Sequence, residues 1–342
     1  MTAIGTYLRW LTAAGIVLCL TVVVMGAWVR LTDAGLGCPD WPTCYGHVTP
    51  AGALANREIA EARFPGWRID SGKAWREMIH RYAAATLGIV IVLIAAIAIV
   101  YRREHWVSVP YALLLLLTVV LQGLLGAFTV WWLVKPLVVV LHLLGGLATL
   151  GLLFWLWLEL RRRAALEPRP RLAAPTAARA SARHAAVIAT LVVTVQIALG
   201  GWTSSNYAAV SCPDLPRCQG AWWPAGMDFA NAFVLWRGLD INYTGGVLEH
   251  PARVAIHFTH RLGAIVATLA VLWAAWLALR HAPSTAVRNA GLLAVGAVAL
   301  QVLIGILMVL QAFPLELATA HNAGAALLLL AMLTLNRRLR EA

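Results

Sequence analysis

The sequence predicts an all-α integral membrane protein with eight transmembrane helices, arranged as two tandem four-helix bundles. Three observations lead to this fold class. Of the 342 residues, 61% are hydrophobic and only 12% are charged, which is more apolar surface than a soluble domain can bury. Apolar stretches of about 20 residues, the length that crosses a bilayer, recur along the chain. Finally, the motifs of the first half return in the second half in the same order.

Eight apolar stretches are long enough to span a membrane. We expect the first to be a retained anchor, because it is too long for a removable signal peptide and its flank does not resemble a cleavage site. The predicted spans are residues 10–30, 79–101, 110–132, 137–158, 186–203, 254–279, 289–311 and 317–335.

The net charge of +12 is unevenly distributed over the predicted loops. The side that holds both termini and the loops 102–109, 159–185 and 280–288 has 15 Lys and Arg against 4 Asp and Glu, and the other side has 12 against 11. Excess Lys and Arg marks the cytoplasmic face, so both termini are expected in the cytoplasm. We expect the Arg-rich segment 159–185 to set topology and to contact anionic lipid. Nucleic-acid binding is not expected, because no motif or aromatic interleaving accompanies the charge.

An internal repeat divides the chain into two equivalent halves. Four spans in each half give both halves the same orientation, so the repeat is a parallel duplication about an axis along the membrane normal. The predicted domains are residues 1–158, a cytoplasmic linker 159–185, and residues 186–342. The repeated motifs are Gly26-Ala27-Trp28 with Gly200-Gly201-Trp202 and Cys38 to Cys44 with Cys212 to Cys218 at an offset of 174, His80-Arg81 with His260-Arg261 at 180, and Gln122, Gly126 and His142 with Gln301, Gly305 and His321 at 179.

Each half has a long first loop, on the predicted outer side, that carries a pair of cysteines. Cys38 with Cys44, and Cys212 with Cys218, are expected to form local disulfides, since disulfides persist outside the cytoplasm. Free thiols are the alternative. A zinc site is less favoured, because the spacing does not fit a tight zinc knuckle. Cys19 lies inside the first span, where a small apolar residue packs well.

Four histidines occupy repeat-related positions within the predicted spans. Ionisable residues there are costly and usually functional. Counted from the outer end of each span, all four lie roughly 8–10 Å deep. A haem iron with two axial imidazoles needs both histidines at one depth on facing helices. Hydrogen-bonded structural histidines are the alternative. The predicted pairs are His80 with His142 and His260 with His321.

Other polar residues accompany these histidines. Arg81 and Arg261 follow the first histidine of each pair near the outer interface, where they could contact haem propionates or simply extend to the interface. Gln122 and Gln301 are expected to hydrogen-bond between closely packed helices. Glu77 lies one turn before His80, and the repeat-related position in the second half is His257.

This asymmetry suggests that the halves have diverged. A buried carboxylate beside an iron could handle protons, which favours a reactive site in the first half and an electron-relay site in the second. The alternative is an interfacial glutamate that is paired with Arg76 or Arg81.

The stretch from Arg30-Leu31-Thr32 to Cys38-Pro39-Asp40-Trp41-Pro42, the motif Glu77-Met78-Ile79-His80-Arg81 and the later histidines resemble the haem A synthase family. The resemblance covers nearly the whole chain, and the cysteine pairs are similar to those of its bacterial branch. It implies a multi-pass protein of the bacterial plasma membrane.

The resemblance also implies a reaction. Members oxidise the C8 methyl group of haem O to a formyl group, through two hydroxylations and loss of water, and so provide haem A for terminal oxidases. Carried over to this chain, His80, His142 and the catalytic Glu77 serve the substrate haem, and His260 and His321 hold a haem b cofactor. A haem O synthase and an electron donor are the candidate protein partners.

Two other function classes compete with this enzyme. A di-haem electron-transfer protein would have a similar spectrum but would yield no haem A. A transporter would use the duplicated bundle without catalysis, but the broken helices and midplane polar residues expected of one are absent from the sequence pattern.

Overall fold

A computed structural model describes residues 3–104, 106–164, 177–281 and 284–341. These ranges contain helices, turns and loops, with no strand longer than an isolated bridge. In chain order the helices are α1 (Ala3–Leu31), α2 (Pro50–Ala55), α3 (Arg57–Arg63), α4 (Ser71–Val100), α5 (Val109–Trp131), α6 (Pro136–Ala164), α7 (Ala177–Ser205), α8 (Phe229–Ala232), α9 (His250–Arg280), α10 (Thr285–Leu310) and α11 (Leu315–Glu341).

Eight of these helices are long and apolar enough to cross a membrane, which confirms the predicted all-α membrane class. Each predicted span coincides with one long helix, although several helices extend further into polar sequence. Helix α4, for example, begins at Ser71 because the Asp70 side chain accepts a hydrogen bond from the Lys73 N–H. A capped polar turn can stay helical outside the hydrocarbon region, where hydropathy gives no signal.

The long helices keep large apolar side chains on their outer faces and small residues between helices. Leu117 and Leu269 are 54% and 61% exposed, whereas Ala255 and Ala275 are fully buried. Lipid solvates the outer side chains, so helices in a bilayer associate by close packing of small residues. This distribution is typical of a membrane-spanning bundle.

The first outer loop, between α1 and α4, folds around a half-buried acceptor, the side chain of Glu61. The Glu61 carboxylate accepts hydrogen bonds from the Ile69 N–H, from Arg68 and from Arg57. The Ile69 N–H, followed by the Arg68 side chain, lowers the pKa of Glu61 to about 2. The short helices α2 and α3 in this loop were not predicted from the sequence.

The chain divides into two compact units. Unit 1 comprises Met1–Arg161 together with Ser204–Tyr207 and Val234–Leu248, and unit 2 comprises Arg162–Thr203, Ala208–Phe233 and Glu249–Ala342. The end of α7 with the two residues after it, and one segment of the following loop, therefore belong to the first unit. We call Val234–Leu248 the strap.

The strap is held by Lys135, in the short turn between α5 and α6. The Lys135 ammonium lies 3.4 Å from the centre of the Trp236 ring and donates a hydrogen bond to the Gly238 carbonyl. Trp236 also packs edge-on against Trp132, and the Tyr243 N–H donates to the Leu133 carbonyl. Burial lowers the pKa of Lys135. Nothing in the sequence pattern assigned this segment to the first unit.

The predicted parallel duplication, the domain limits and the cytoplasmic location of both termini stay predictions. Residues 165–176 of the predicted linker lie outside the described residues. The flanking parts of the segment 159–185 are helical, as the ends of α6 and α7.

Candidate functional site

In unit 1, each of the two predicted histidine ligands lies against a glycine of a neighbouring helix. An ideal Cβ on Gly26 of α1 would lie 3.1 Å from Cε1 of His80, on α4. An ideal Cβ on Gly126 of α5 would lie 3.5 Å from Cε1 of His142, on α6. The absent side chains let both imidazoles approach the facing helix closely.

Unit 2 has the same arrangement. An ideal Cβ on Gly200 of α7 would lie 3.1 Å from Cε1 of His260, on α9, and one on Gly305 of α10 would lie 3.1 Å from Cε1 of His321, on α11. The motifs that recur in sequence therefore form the same contacts in both units.

The histidines of each predicted pair are neighbours in space. The rings of His80 and His142 are close enough for their charges to interact, and so are those of His260 and His321. In His80, His142 and His321 the Nδ1 atom is buried and has no hydrogen-bond partner in the described part of the chain. Nε2 is thus the more accessible ring nitrogen of these three residues.

Three glutamines lie beside these pairs, each over a glycine. Gln301 donates a hydrogen bond to the backbone carbonyl of His321, as expected of an interhelical contact. Gln122 occupies the space over Gly145. The third, Gln196 of α7, has its amide Nε2 3.0 Å from Nδ1 of His260. The sequence analysis missed Gln196, although a polar residue within an apolar span could have pointed to it.

Glu77 is buried, and each of its two carboxylate oxygens accepts a hydrogen bond. Oε2 accepts a hydrogen bond of 2.9 Å from the Cys38 N–H, and Oε1 is paired with the Arg81 guanidinium. Of the two ion-pair partners considered from the sequence, the structure selects Arg81, since Arg76 instead donates to the Gly72 carbonyl. Glu77 therefore connects α4 to the disulfide loop.

His257 takes the place of Glu77 in unit 2. Its Nδ1 lies 3.3 Å from the Cys212 nitrogen and its Nε2 lies 3.3 Å from Nε of Arg261. The same two partners thus surround a carboxylate in one unit and an imidazole in the other. The polar framework is retained, but the chemistry of its central residue differs.

Arg81 and Arg261 bind the backbone of the cysteine loops. Nη1 of Arg81 donates to the carbonyls of Asp40, Pro42 and Thr43, while Nη1 of Arg261 donates to those of Asp214 and Arg217. These bonds fix the outer loops over the helix ends that carry the histidines. Contact with haem propionates stays a prediction for both residues.

Both cysteine pairs form disulfides, Cys38 with Cys44 and Cys212 with Cys218. Cys19 is a buried free cysteine, as expected. Within each loop an aspartate accepts two backbone N–H groups, and for Asp214 these come from Gly220 and Gln219. These hydrogen bonds, led by that of Gly220, hold the pKa of Asp214 below its usual range. Among the described residues no cluster of His, Cys, Asp and Glu resembles an ordinary metal site.

Comparison with known proteins was made over the whole chain. Residues 9–333 match the family model described as cytochrome oxidase assembly protein. The chain is 41% identical over 329 residues to a haem A synthase of Shewanella oneidensis, with 96% of each chain covered. It is 30% identical to a haem A synthase of Rhizorhabdus wittichii, covering 95% of this chain and 91% of the relative, and 28% identical to one of Paracoccus denitrificans, covering 95% and 85%.

Proposed function

The chain belongs to the haem A synthase family, and we propose that it is a multi-pass bacterial membrane oxidoreductase that converts haem O to haem A. The reaction oxidises the C8 methyl group of haem O to a formyl group for use in terminal oxidases. The observation that carries the proposal is the pair of neighbouring histidines, each facing a glycine, in each of the two units.

The residues present fit a haem that is held by two imidazoles. Two conditions favour such a site: imidazoles that can approach the facing helix closely, and a ring nitrogen that is free to bind iron. The glycines opposite the four histidines supply the first condition, and the accessible Nε2 atoms of His80, His142 and His321 fit the second. His80 and His142 would hold the substrate haem, and His260 and His321 would hold a haem b cofactor. Bound haem would supply the redox chemistry of the reaction.

The difference between Glu77 and His257 supports this division of labour. Glu77 is a carboxylate one helical turn from His80, a position from which it could accept or deliver a proton beside a bound substrate. Its bonds to Cys38 and Arg81 would hold it in one orientation for that role. In unit 2 His257 replaces the carboxylate, so proton handling at Glu77 belongs to unit 1.

Arg81 and Arg261 act at the outer end of each site in this proposal. Each arginine directly follows the first histidine of its pair, and its guanidinium is fixed by hydrogen bonds to loop carbonyls. A guanidinium fixed at that level is well placed for an anionic propionate. The repeated contacts of glycines, histidines and arginines also support a parallel duplication, in which both termini are cytoplasmic because of the Arg-rich loops.

A di-haem electron-transfer protein is the second candidate, because the two histidine pairs have nearly the same surroundings. Expression together with a haem O synthase, followed by haem extraction and mass analysis, separates the two. The enzyme yields haem A or its alcohol precursor, and this yield disappears in His80→Ala. Only haem O and haem b in the extract of a protein that binds two haems would favour the electron-transfer function.

The same expression system tests the proposed partners. The proposed reaction requires both an electron donor and a source of haem O. Copurification of the haem O synthase with the tagged chain is expected if haem O is transferred directly. Full haem A yield from haem O supplied without that synthase would argue against direct transfer.

A further inference from the structure

The strap lies against the outer end of one helix pair. In sequence it stands between α8 and α9, yet it belongs to unit 1. Its contacts with Trp132, Leu133 and Lys135 fall on the turn that joins α5 to α6. Helix α5 carries Gly126, and the glycine faces His142 of α6. The strap therefore covers the turn above two helices that build the candidate haem site of unit 1.

Unit 2 has no corresponding anchor in its sequence. At the repeat offset of 179, Trp132 corresponds to Gln311 and Lys135 to Pro314. The turn between α10 and α11 thus has neither the aromatic ring nor the cation that holds the strap. The first outer loop, moreover, lies wholly within unit 1. Among the described residues, unit 1 alone therefore receives a covering segment from the loop of the other half.

The strap can be released without unfolding a long helix. It contains no helix or strand of its own. Gly238 and Gly245 have φ of 92° and 81°, and an ideal Cβ on either would meet nothing within 4 Å. Leu235 and Leu239 are more than half exposed, and Tyr243 is the one fully buried residue of the strap. A segment with so few buried contacts opens locally while the rest of the fold persists.

We propose that the strap is a latch that controls the exchange of haem at the histidine pair of unit 1. The inference rests on the proposed function, in which unit 1 takes up haem O and releases haem A while unit 2 keeps its haem b. A site that exchanges substrate for product in every turnover needs a route that opens and closes. A resident cofactor has no such need, which agrees with the absence of the anchor residues from unit 2.

Lys135 sets the strength of this latch. The residue is only 2% exposed, and its ammonium lies 3.4 Å from the centre of the Trp236 ring and donates to the Gly238 carbonyl. Both partners belong to the strap, so both contacts are lost when the strap opens. A desolvated cation–π contact shifts an equilibrium by about 30-fold. Lys135→Met keeps an unbranched side chain without the charge, and it should raise the population of the open strap by about this factor.

Haem exchange in the full-length protein tests the proposal. In a His260→Ala background only unit 1 is loaded, and transfer of bound haem O to an excess of apomyoglobin gives the release rate. Lys135→Met should speed both the release of haem O and its uptake by about 30-fold and leave the affinity unchanged, because a latch opens the route in both directions. In a His80→Ala background, where only unit 2 holds haem, Lys135→Met should change neither rate.

Matched variants separate the latch from a general loss of structure. Trp236→Leu removes the same contact from the strap side, so adding Lys135→Met to it should speed exchange no further. Trp223→Ala removes an exposed tryptophan of the same loop that packs against Phe258 in unit 2, and it should leave the rates at unit 1 unchanged. Hydrogen exchange of the Tyr243 amide, which is bonded to the α5–α6 turn, should rise in Lys135→Met without any haem.

Three results would overturn the inference while leaving the proposed function intact. They are unchanged haem exchange in Lys135→Met, faster release without faster uptake, and equal acceleration at both units. The second result would make the strap part of the binding site, and the third would indicate a general loss of structure. A wild-type protein without haem at His80 and His142 would overturn the proposed function as well. If Lys135→Met does not fold, Trp236→Leu decides by the same rates.

Discussion

Alanine substitution of the glycines that face the histidines gives a sharp test of the haem sites. Helical Gly→Ala substitutions are favourable by about 1 kcal/mol when the new methyl group meets nothing. At Gly26 and Gly200, however, the new Cβ would lie 3.1 Å from a histidine ring, about 0.3 Å closer than ordinary contact. The apoprotein and the haem complex should therefore respond differently.

The size of the effect follows from this overlap. The imidazole must rotate away from the new methyl group, and an off-rotamer side chain costs about 1 kcal/mol. A cost of that size weakens haem binding about fivefold. We thus expect Gly26→Ala to weaken the haem of unit 1, and Gly200→Ala that of unit 2, without a loss of apoprotein stability.

Matched controls are available in other membrane-spanning helices, α4, α5 and α10. At Gly126 the Cβ would lie 3.5 Å from His142, which is an ordinary contact, and at Gly88 and Gly296 it would meet nothing within 4 Å. These three alanine variants should bind haem as the wild type does. The assay is haem titration of the apoprotein, combined with thermal unfolding. Wild-type haem affinity in Gly26→Ala and Gly200→Ala, or equal weakening in Gly126→Ala, would refute the reasoning.

Three further predictions concern the surroundings of the site. Glu77→Gln should keep its haems but lower haem A yield by about 100-fold, because a general acid or base is lost; unchanged yield by mass analysis would remove the proton-handling role. Trp236→Ala should remove a cation–π contact of about 2 kcal/mol and speed amide exchange of Tyr243 in the strap by about 30-fold, and unaltered exchange would show that Lys135 does not hold the strap. Glu61→Gln should lower thermal stability at neutral pH, because the depressed pKa of Glu61, about 2, adds stability above its usual pKa that is lost as the pH falls from about 4.5 towards 2. A stability difference that stays constant across that pH range would contradict this linkage.

The eight spans could be predicted because an apolar run of about 20 residues has few stable structures other than a membrane-spanning helix. The depth argument chose four histidines, and the structure brings them together in two pairs. The glycines at 26 and 200 were recognised as repeated motifs, but repetition alone does not tell which side chain a glycine faces. That required the packing of α1 on α4 and of α7 on α9.

Other features escaped the sequence because they depend on loops or on single side chains. The strap has no periodic pattern, so its membership of unit 1 is fixed only by contacts with Trp132 and Lys135. The position of Arg81 predicted either contact with haem propionates or extension to the interface, but its hydrogen bonds to loop carbonyls could not be predicted from spacing. Gln196 was hidden because Val22, its repeat partner, is apolar, so the comparison of halves did not point to it.

Haem counting and absorption spectroscopy of the purified protein test the paired-histidine sites most directly. The wild type should bind two haems with low-spin spectra, His80→Ala and His142→Ala should each lose the same haem, and His260→Ala and His321→Ala should each lose the other. A protein without haem, or one whose spectrum persists when His80 and His260 are replaced together, would contradict this assignment.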